Sequence, residues 1–339
     1  MAWSIRSNWT TKLVSRTGWW YGAASVAILL AWTWSSSDRR STSPQGSQEW
    51  HLVEHWPALV PGVKLGQVSG VDIDTSGHVM VFHRAGGTFD RAATQVRPTA
   101  TVFELDPASG ALINSWGADR FVLPHSLTVD RSNNVWLTDD ILQQVMKFSH
   151  DGQLLLTVGT SRKAGWDSTH FNEPTDVAVA ADGSFLVSDG YQNSRVAHFD
   201  AKGRFLNEWG TRGGNRGQFQ IPHGVIIGAD GNVIVSDREN RRVQVFSKSG
   251  AALVSWPTSD SVGRVFDVAI STRGYMYVAM RNSTTLAEIR ILDRDWRDVG
   301  SIRADTSVFV VPHQIAVQGD TALYIADTNG QRILKYVRR

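Results

Sequence analysis

The chain has 339 residues, with 34 Lys and Arg against 32 Asp and Glu, and no cysteine. This near-neutral balance, without a block of like charge, argues against a nucleic-acid-binding groove. The lack of cysteine excludes disulfides, thiolate metal sites and cysteine nucleophiles, while the length allows one large all-β domain.

The first 49 residues predict a membrane-directed segment. Residues 1–17 are basic, residues 18–34 form an uncharged apolar run, and aromatic side chains mark both ends of that run. An uncleaved signal-anchor helix is favoured, because no clear cleavage site follows, and a cleaved signal peptide is the alternative. Both interpretations put the rest of the chain on the extracytoplasmic side, anchored to the membrane or exported. Residues 35–49 are polar and turn-rich, which predicts a flexible linker.

Residues 50–339 contain six copies of one repeat. Each copy has short apolar strands separated by Gly, Asp or Asn turns, and the copies begin at Val68, Pro124, Pro174, Pro222, Val265 and Pro312. Aligned apolar positions lie 56, 50, 48, 43 and 47 residues apart, a spacing typical of propeller blades with four short strands. The sequence therefore predicts an all-β, six-bladed β-propeller, with a closing strand expected between residues 51 and 61. A β-sandwich with fortuitous repeats is the alternative.

One repeat position carries histidine in every second blade. Two residues before the aligned apolar position, the six blades have Ser69, His125, Thr175, His223, Phe266 and His313. Equivalent positions on alternate blades of six are related by about 120° around the axis, so three imidazoles would converge on one point. Three protein ligands with an open position are typical of catalytic zinc, although imidazoles also bind iron, nickel and copper. A set of ordinary core histidines is the alternative.

Several motifs around these histidines are more specific than the repeats. They are FHR at residues 82–84, the three Pro-His pairs, SDGYQNSR at residues 188–195 and DREN at residues 237–240. Across about 270 residues, the chain resembles NHL-repeat propellers and, among them, the peptidyl-α-hydroxyglycine α-amidating lyase family.

The resemblance implies roles for individual residues. His125, His223 and His313 match the zinc ligands of that family, Arg84 matches an active-site arginine, and Tyr191 matches the proposed catalytic base. A phenol titrates near 10 when unperturbed, so this tyrosine would need a cation or the metal nearby in order to ionise.

A structural calcium ion is the second cofactor that the resemblance implies. The backbone carbonyls of Val71 and Leu127 match two calcium ligands of the family, whereas the family's aspartate ligand is replaced by Gln314. An amide oxygen is a weaker ligand for a hard cation than a carboxylate. Asp267, at the same repeat position in the fifth blade, could partly compensate if it reaches the channel.

Together, the residues and the resemblance predict a zinc-dependent lyase that cleaves the C–N bond of a peptidyl- or N-acyl-α-hydroxyglycine to an amide and glyoxylate. An enzyme on a separate chain would supply the hydroxylated substrate. Two other functions stay open: a metal-dependent propeller lactonase or related hydrolase, and a non-enzymatic NHL propeller that binds or scaffolds proteins. We expect Asp189, Asp237 and Asp327 to hold blade turns, and residues 238–240 to pair structurally between blades.

Overall fold

The computed structural model describes residues 50–59, 61–258, 263–282, 286–304 and 309–338. The predicted basic segment 1–17, signal anchor or signal peptide 18–34 and linker 35–49 lie outside the described residues. Within the described ranges, no helix is long and apolar enough to cross a membrane. All the described strands belong to the compact unit Gln48–Arg339.

The described residues form six four-stranded antiparallel sheets, each of which is one propeller blade. Blades 1 and 2 contain β2 Val68–Ile73, β3 Val79–His83, β4 Val102–Leu105, β5 Leu112–Trp116, β6 Pro124–Val129, β7 Val135–Asp139, β8 Gln144–Phe148 and β9 Leu154–Val158. Blades 3 and 4 contain β10 Pro174–Val179, β11 Phe185–Asp189, β12 Arg195–Phe199, β13 Phe205–Trp209, β14 Pro222–Ile227, β15 Val233–Asp237, β16 Arg242–Phe246 and β17 Ala252–Pro257. Blades 5 and 6 contain β18 Arg264–Ile270, β19 Met276–Arg281, β20 Ala287–Leu292, β21 Asp298–Ala304, β22 Pro312–Gln318, β23 Ala322–Asp327, β24 Arg332–Arg338 and, completing blade 6, β1 Trp50–Leu52. The predicted six-bladed propeller is confirmed.

The ring of blades is closed by contacts between its innermost strands and by one strand from the start of the described chain. Each first strand of a blade contacts the first strand of the next blade, and β22 contacts β2. β1 pairs antiparallel with β24, with Trp50 opposite Arg338 and Leu52 opposite Tyr336. This pairing covers the outer edge of blade 6 and confirms the expected closing strand, at Trp50–Leu52.

Burial differs between the inner and outer strands of a blade. All five residues of β3 are buried, whereas the three central residues of β5 are exposed. Inner strands are buried because neighbouring blades cover both of their faces. Trp136 of blade 2 packs on Phe185 of blade 3 with ring centroids 4.6 Å apart, and burial of such apolar surface is the main stabilising contribution.

Each innermost strand carries a β-bulge at the same place, near its first residue. In blade 4, Pro222 pairs with Asp237 and Gly224 pairs with Ser236, so His223 has no partner across the ladder. Bulges commonly re-aim a side chain beside an active site, and proline tolerates the first strand position because it has no N–H to donate. The histidine position of every second blade is therefore released from the sheet at the channel.

Candidate metal centre

The three histidines from alternate blades meet on the propeller axis. The ring centroids of His125, His223 and His313 lie 4.6, 4.8 and 5.0 Å apart in pairs, and their ligand nitrogens lie within 4.8 Å of one another. All three residues are buried. The small cavity that they line measures about 10 Å³, which is room for about one atom-sized sphere. The expected convergence of three imidazoles is present.

Each imidazole is held by a backbone carbonyl of the following blade. His125 Nδ1 lies 2.6 Å from the carbonyl oxygen of Thr175, His223 Nδ1 lies 2.8 Å from that of Phe266, and His313 Nδ1 lies 2.7 Å from that of Ser69. Because a carbonyl oxygen only accepts, each Nδ1 carries the hydrogen and donates it. The lone pair of every ring is then on Nε2, the tautomer that a metal site requires.

The surroundings keep the three rings neutral. Burial lowers the pKa of His125 and His223 well below the usual value, and nearby His313 and arginine side chains lower it further. Burial lowers the pKa of His313 to about 3, with Arg84 adding to the effect. The Nε2 of His313 is buried and has no hydrogen-bond partner among the described residues. Three neutral imidazoles with inward lone pairs fit a divalent ion such as zinc, and the donor set does not by itself choose between zinc, iron, nickel and copper.

Tyr191 lies at the mouth of the channel, directly against the histidines. Its hydroxyl is 3.1 Å from Nε2 of His125 and 3.5 Å from Nε2 of His223. Arg238 donates from Nη1 to the same hydroxyl over 3.4 Å, and its guanidinium carbon lies 5.1 Å from the centre of the tyrosine ring. Burial raises the pKa of Tyr191, whereas the charge of Arg238 lowers it. Arg238 is therefore the nearby cation that Tyr191 would need in order to ionise.

Arg84 is buried beside the same mouth and is held from two sides. It donates from Nε to the carbonyl oxygen of Pro124 over 3.1 Å, and from Nη1 to Oε1 of Gln67 over 2.7 Å. The same Gln67 oxygen accepts the backbone N–H of Phe89, whose exposed ring lies 4.9 Å from the Arg84 guanidinium carbon. Burial lowers the pKa of Arg84, and nearby Asp140 opposes that shift. Among the described residues, Nη2 of Arg84 has no hydrogen-bond partner, so it can donate to an anion.

Arg238 is the site residue that sequence reasoning missed. Its pair with Glu239 at 3.1 Å lies within one blade, whereas the expected pairing between blades is made by Glu239 with Arg264 of β18 at 2.7 Å. Arg238 itself reaches Tyr191 of the neighbouring blade. A sequence signal existed: Arg238 directly follows β15 as Arg84 directly follows β3, so both occupy one repeat position at the same end of their blades. Two arginines at one phase of the repeat indicate a shared basic rim.

A buried carboxyl group at that same repeat position was also missed. Asp140 directly follows β7, is fully buried, and neither carboxyl oxygen has a hydrogen-bond partner among the described residues. Burial raises its pKa well above the usual value, while the charge of Arg84 opposes the shift. The channel mouth therefore contains a carboxyl group, Asp140, whose protonated and neutral form is favoured by burial.

The residues matched to a calcium site are occupied by hydrogen bonds. Gln314 accepts at Oε1 from the backbone N–H groups of Val71 (3.0 Å) and Leu127 (3.1 Å), and donates from Nε2 to the Leu127 carbonyl oxygen (3.0 Å). Asp267 reaches the channel, but its Oδ2 accepts the backbone N–H of Ile315 over 2.9 Å. An amide nitrogen that faces the Leu127 carbonyl is a donor where calcium needs an oxygen. Calcium at Val71 and Leu127 stays a prediction, and this arrangement does not fit it.

Comparison with known proteins agrees with the fold and the motifs. The NHL repeat family model matches residues 171–199 and 219–246, in blades 3 and 4. Over 314 residues, the chain is 33% identical to peptidyl-alpha-hydroxyglycine alpha-amidating lyase 2 of Drosophila melanogaster, covering 84% of this chain and 75% of that protein.

Two further proteins are similar to the chain, one in sequence and one in fold. Peptidyl-glycine alpha-amidating monooxygenase B of Xenopus laevis is 32% identical over 316 residues, which cover 86% of this chain but 36% of that protein, so the chain spans about a third of its length. Among solved structures, a streptogramin B lyase superposes with a TM-score of 0.57 at 12% identity, covering 86% of this chain and 98% of the other. At that identity the likeness describes the fold alone.

Proposed function

Because the chain belongs to the peptidyl-α-hydroxyglycine α-amidating lyase family, we propose that it is a zinc-dependent lyase that cleaves a peptidyl- or N-acyl-α-hydroxyglycine to an amide and glyoxylate. One observation carries the proposal: the Tyr191 hydroxyl lies within 3.5 Å of the Nε2 atoms of His125 and His223. A proton acceptor and a three-imidazole metal centre therefore share one small volume.

The reaction needs few groups, and the channel mouth contains them. The substrate carries a hydroxyl group and an amide nitrogen on one carbon. When the hydroxyl proton leaves, the C–O bond becomes a carbonyl, the C–N bond breaks, and its electron pair goes to the amide nitrogen. That nitrogen takes up a proton, so no oxidant, reductant or water is consumed.

Tyr191 is placed to move that proton. Arg238 beside its hydroxyl favours the ionised phenol, which can accept the hydroxyl proton and return it to the departing nitrogen. A metal ion held by His125, His223 and His313 would supply Lewis acidity toward a substrate oxygen. Arg84 offers a planar cation for the carboxylate that becomes part of glyoxylate.

The exposed ring of Phe89 extends this site outward. This ring lies 5.8 Å from the Tyr191 ring, and the backbone N–H of Phe89 donates to the Gln67 oxygen that also accepts from Arg84. Phe89 is therefore placed to contact the acyl or peptide part of a substrate whose carboxylate binds Arg84. The substrate itself requires an earlier hydroxylation of a glycine α-carbon, which is oxygenase chemistry that we assign to another active site.

The test is to incubate the full-length chain with an N-acyl-α-hydroxyglycine and to measure amide and glyoxylate against the spontaneous rate. The proposal predicts equal amounts of both products, formed faster than without protein. A simple lactone is the matched second substrate. Ring opening without glyoxylate release would favour the propeller hydrolase, and no turnover of either substrate by metal-loaded protein would favour a binding or scaffold role.

A further inference from the structure

A second group of ligand-type side chains lies between blades 1 and 2. Asp74 and His78 flank the β2–β3 turn, Glu104 is in β4, and His150 is in the β8–β9 turn of the next blade. The two carboxylates are buried, with 5% and 6% of the residue exposed, and both histidines are half-buried. Two imidazoles and two acids from two blades thus share one partly closed site.

Asp74, Glu104 and His150 each offer one ligand atom within 4.8 Å of the others, and His78 lies against both carboxylates. His78 Nδ1 is 2.7 Å from Glu104 Oε1 and 3.4 Å from Asp74 Oδ2. His150 Nε2 is 3.0 Å from Asp74 Oδ2 and 4.0 Å from Glu104 Oε1. Ligands of a tetrahedral zinc ion lie about 3.3 Å from one another, given metal–ligand distances of about 2.0–2.1 Å. To match this spacing, the His78–Glu104 distance of 2.7 Å would lengthen by about 0.6 Å and the His150–Glu104 distance of 4.0 Å would shorten by about 0.7 Å.

This site is separate from the axial histidines. His313 of the axial centre bonds the carbonyl oxygen of Ser69, near the start of β2. Asp74 follows the end of β2, five residues further on, which is about 16 Å along an extended strand. The two groups therefore lie at opposite ends of blade 1 and share no residue.

The corresponding residues of blade 2 pair one carboxylate with one cation. Asp130 is the counterpart of Asp74. Its Oδ2 accepts a hydrogen bond from Nε1–H of Trp136 over 2.9 Å, and Nζ of Lys147 lies 3.3 Å from that oxygen. Glu104 occupies the strand position of Lys147, because it pairs with Met80 as Lys147 pairs with Trp136. Blade 1 thus has a second carboxylate where blade 2 has a cation.

Two adjacent buried carboxylates need positive charge. A neutral imidazole has one N–H and no charge, so His78 and His150 in their neutral forms cannot neutralise Asp74 and Glu104. We propose that these four side chains bind a divalent metal ion, with zinc as the best match to two nitrogens and two carboxylate oxygens. With four protein ligands and no open position, the site is structural, and it links blades 1 and 2.

Metal stoichiometry tests this site independently of the proposed lyase activity. The full-length chain is stripped with chelator, reloaded with zinc, dialysed and measured for zinc per chain. We expect two equivalents in the wild type, one in His78→Ala/His150→Ala and one in His223→Ala. The matched control is His198→Ala, since His198 occupies the strand position of Glu104 in blade 3 and its side chain hydrogen-bonds Asn207 over 3.2 Å. It should keep both equivalents.

Thermal unfolding and glyoxylate release separate the possible outcomes. Zinc at about a hundredfold excess over Kd should raise the Tm of His223→Ala by roughly 5 °C, and this rise should vanish when His78 and His150 are also replaced. His78→Ala/His150→Ala should keep the turnover of the wild type. If the double variant folds poorly, Glu104→Gln tests the same loss with little change of shape.

One bound equivalent in the wild type, lost in His223→Ala and unchanged in the His78 and His150 variants, would overturn the proposal in favour of plain imidazole–carboxylate pairs. Failure of the lyase proposal looks different: two equivalents bind as expected, but no glyoxylate is formed.

Discussion

The hydroxyl oxygen of Tyr191 lies 3.1 Å from Nε2 of His125. Because the Nδ1 of that histidine already donates to the Thr175 carbonyl, the tyrosine faces the lone pair that a metal would use. Proton acceptor and ligand are thus positioned by two neighbouring blades, one through a bulge and the other through the turn after β11. Changes at this pair should separate turnover from metal binding.

Tyr191→Phe should lower kcat by about 10²- to 10⁴-fold, the usual contribution of a general base, without loss of bound metal. The measurement is glyoxylate release together with zinc content. Tyr275→Phe is the control, because that ring lies beside Arg338 and away from the channel. Turnover within threefold of the wild type in Tyr191→Phe would remove the tyrosine from the mechanism.

Arg238→Gln should move the pH dependence of kcat/KM. Burial raises the pKa of Tyr191, and the Arg238 charge at 3.4 Å from the hydroxyl opposes that rise, so removal of the charge raises the pKa further. The rise of rate with pH, which reports ionisation of the base, should shift to higher pH. Arg264→Gln is the matched control, since Arg264 also pairs with Glu239 but has no contact with Tyr191 in the described residues. An unchanged midpoint in Arg238→Gln would contradict this role.

Asp140→Asn should change how stability depends on pH. Burial raises the pKa of Asp140 in the folded protein above its unfolded value of about 3.9. The folded state then binds the proton more tightly, so the wild type loses stability as pH rises above about 4. The Tm of Asp140→Asn minus that of the wild type should therefore increase between about pH 4 and pH 8. Asp119→Asn, at an exposed carboxylate, is the control for the substitution itself. A flat profile for Asp140→Asn would refute the assignment.

Gln314→Ala should lower the free energy of unfolding by about 2–4 kcal/mol, because two backbone N–H groups and one carbonyl lose their partner in the channel. Calcium should neither restore the variant nor raise the Tm of the wild type, since the amide of Gln314 takes the place of a cation. The measurement is denaturant unfolding with calcium or with a calcium chelator, and Gln153→Ala is the exposed control. A calcium-dependent rise in the wild-type Tm would show that the predicted calcium site is functional.

The repeat made the blade number and the histidine position predictable. Spacing alone gives six blades, and histidine at one phase of every second blade gives a threefold centre. The bulge that releases His223 from its ladder is not visible in sequence, because it depends on the register of the partner strand. The tautomers of the three histidines could not be predicted from sequence either, because they are set by backbone carbonyl groups of the following blades.

Other parts of the site depend on contacts between blades. Asp189, Asp237 and Asp327 are confirmed as structural: Asp189, for example, accepts from Asn193 and Arg195 and from the backbone of Asn172. Arg238 could have been assigned from its shared phase with Arg84. The hydrogen bonds of Gln314 could not, because they join residues from three different blades.

The most direct test of the metal-centred lyase is glyoxylate release by the full-length chain before chelation, after chelation and after zinc is returned. The account predicts that activity is lost with the metal, returns with zinc in the wild type and in His198→Ala, and does not return in His223→Ala. Glyoxylate released at an undiminished rate by metal-free protein, or by His223→Ala, would contradict it.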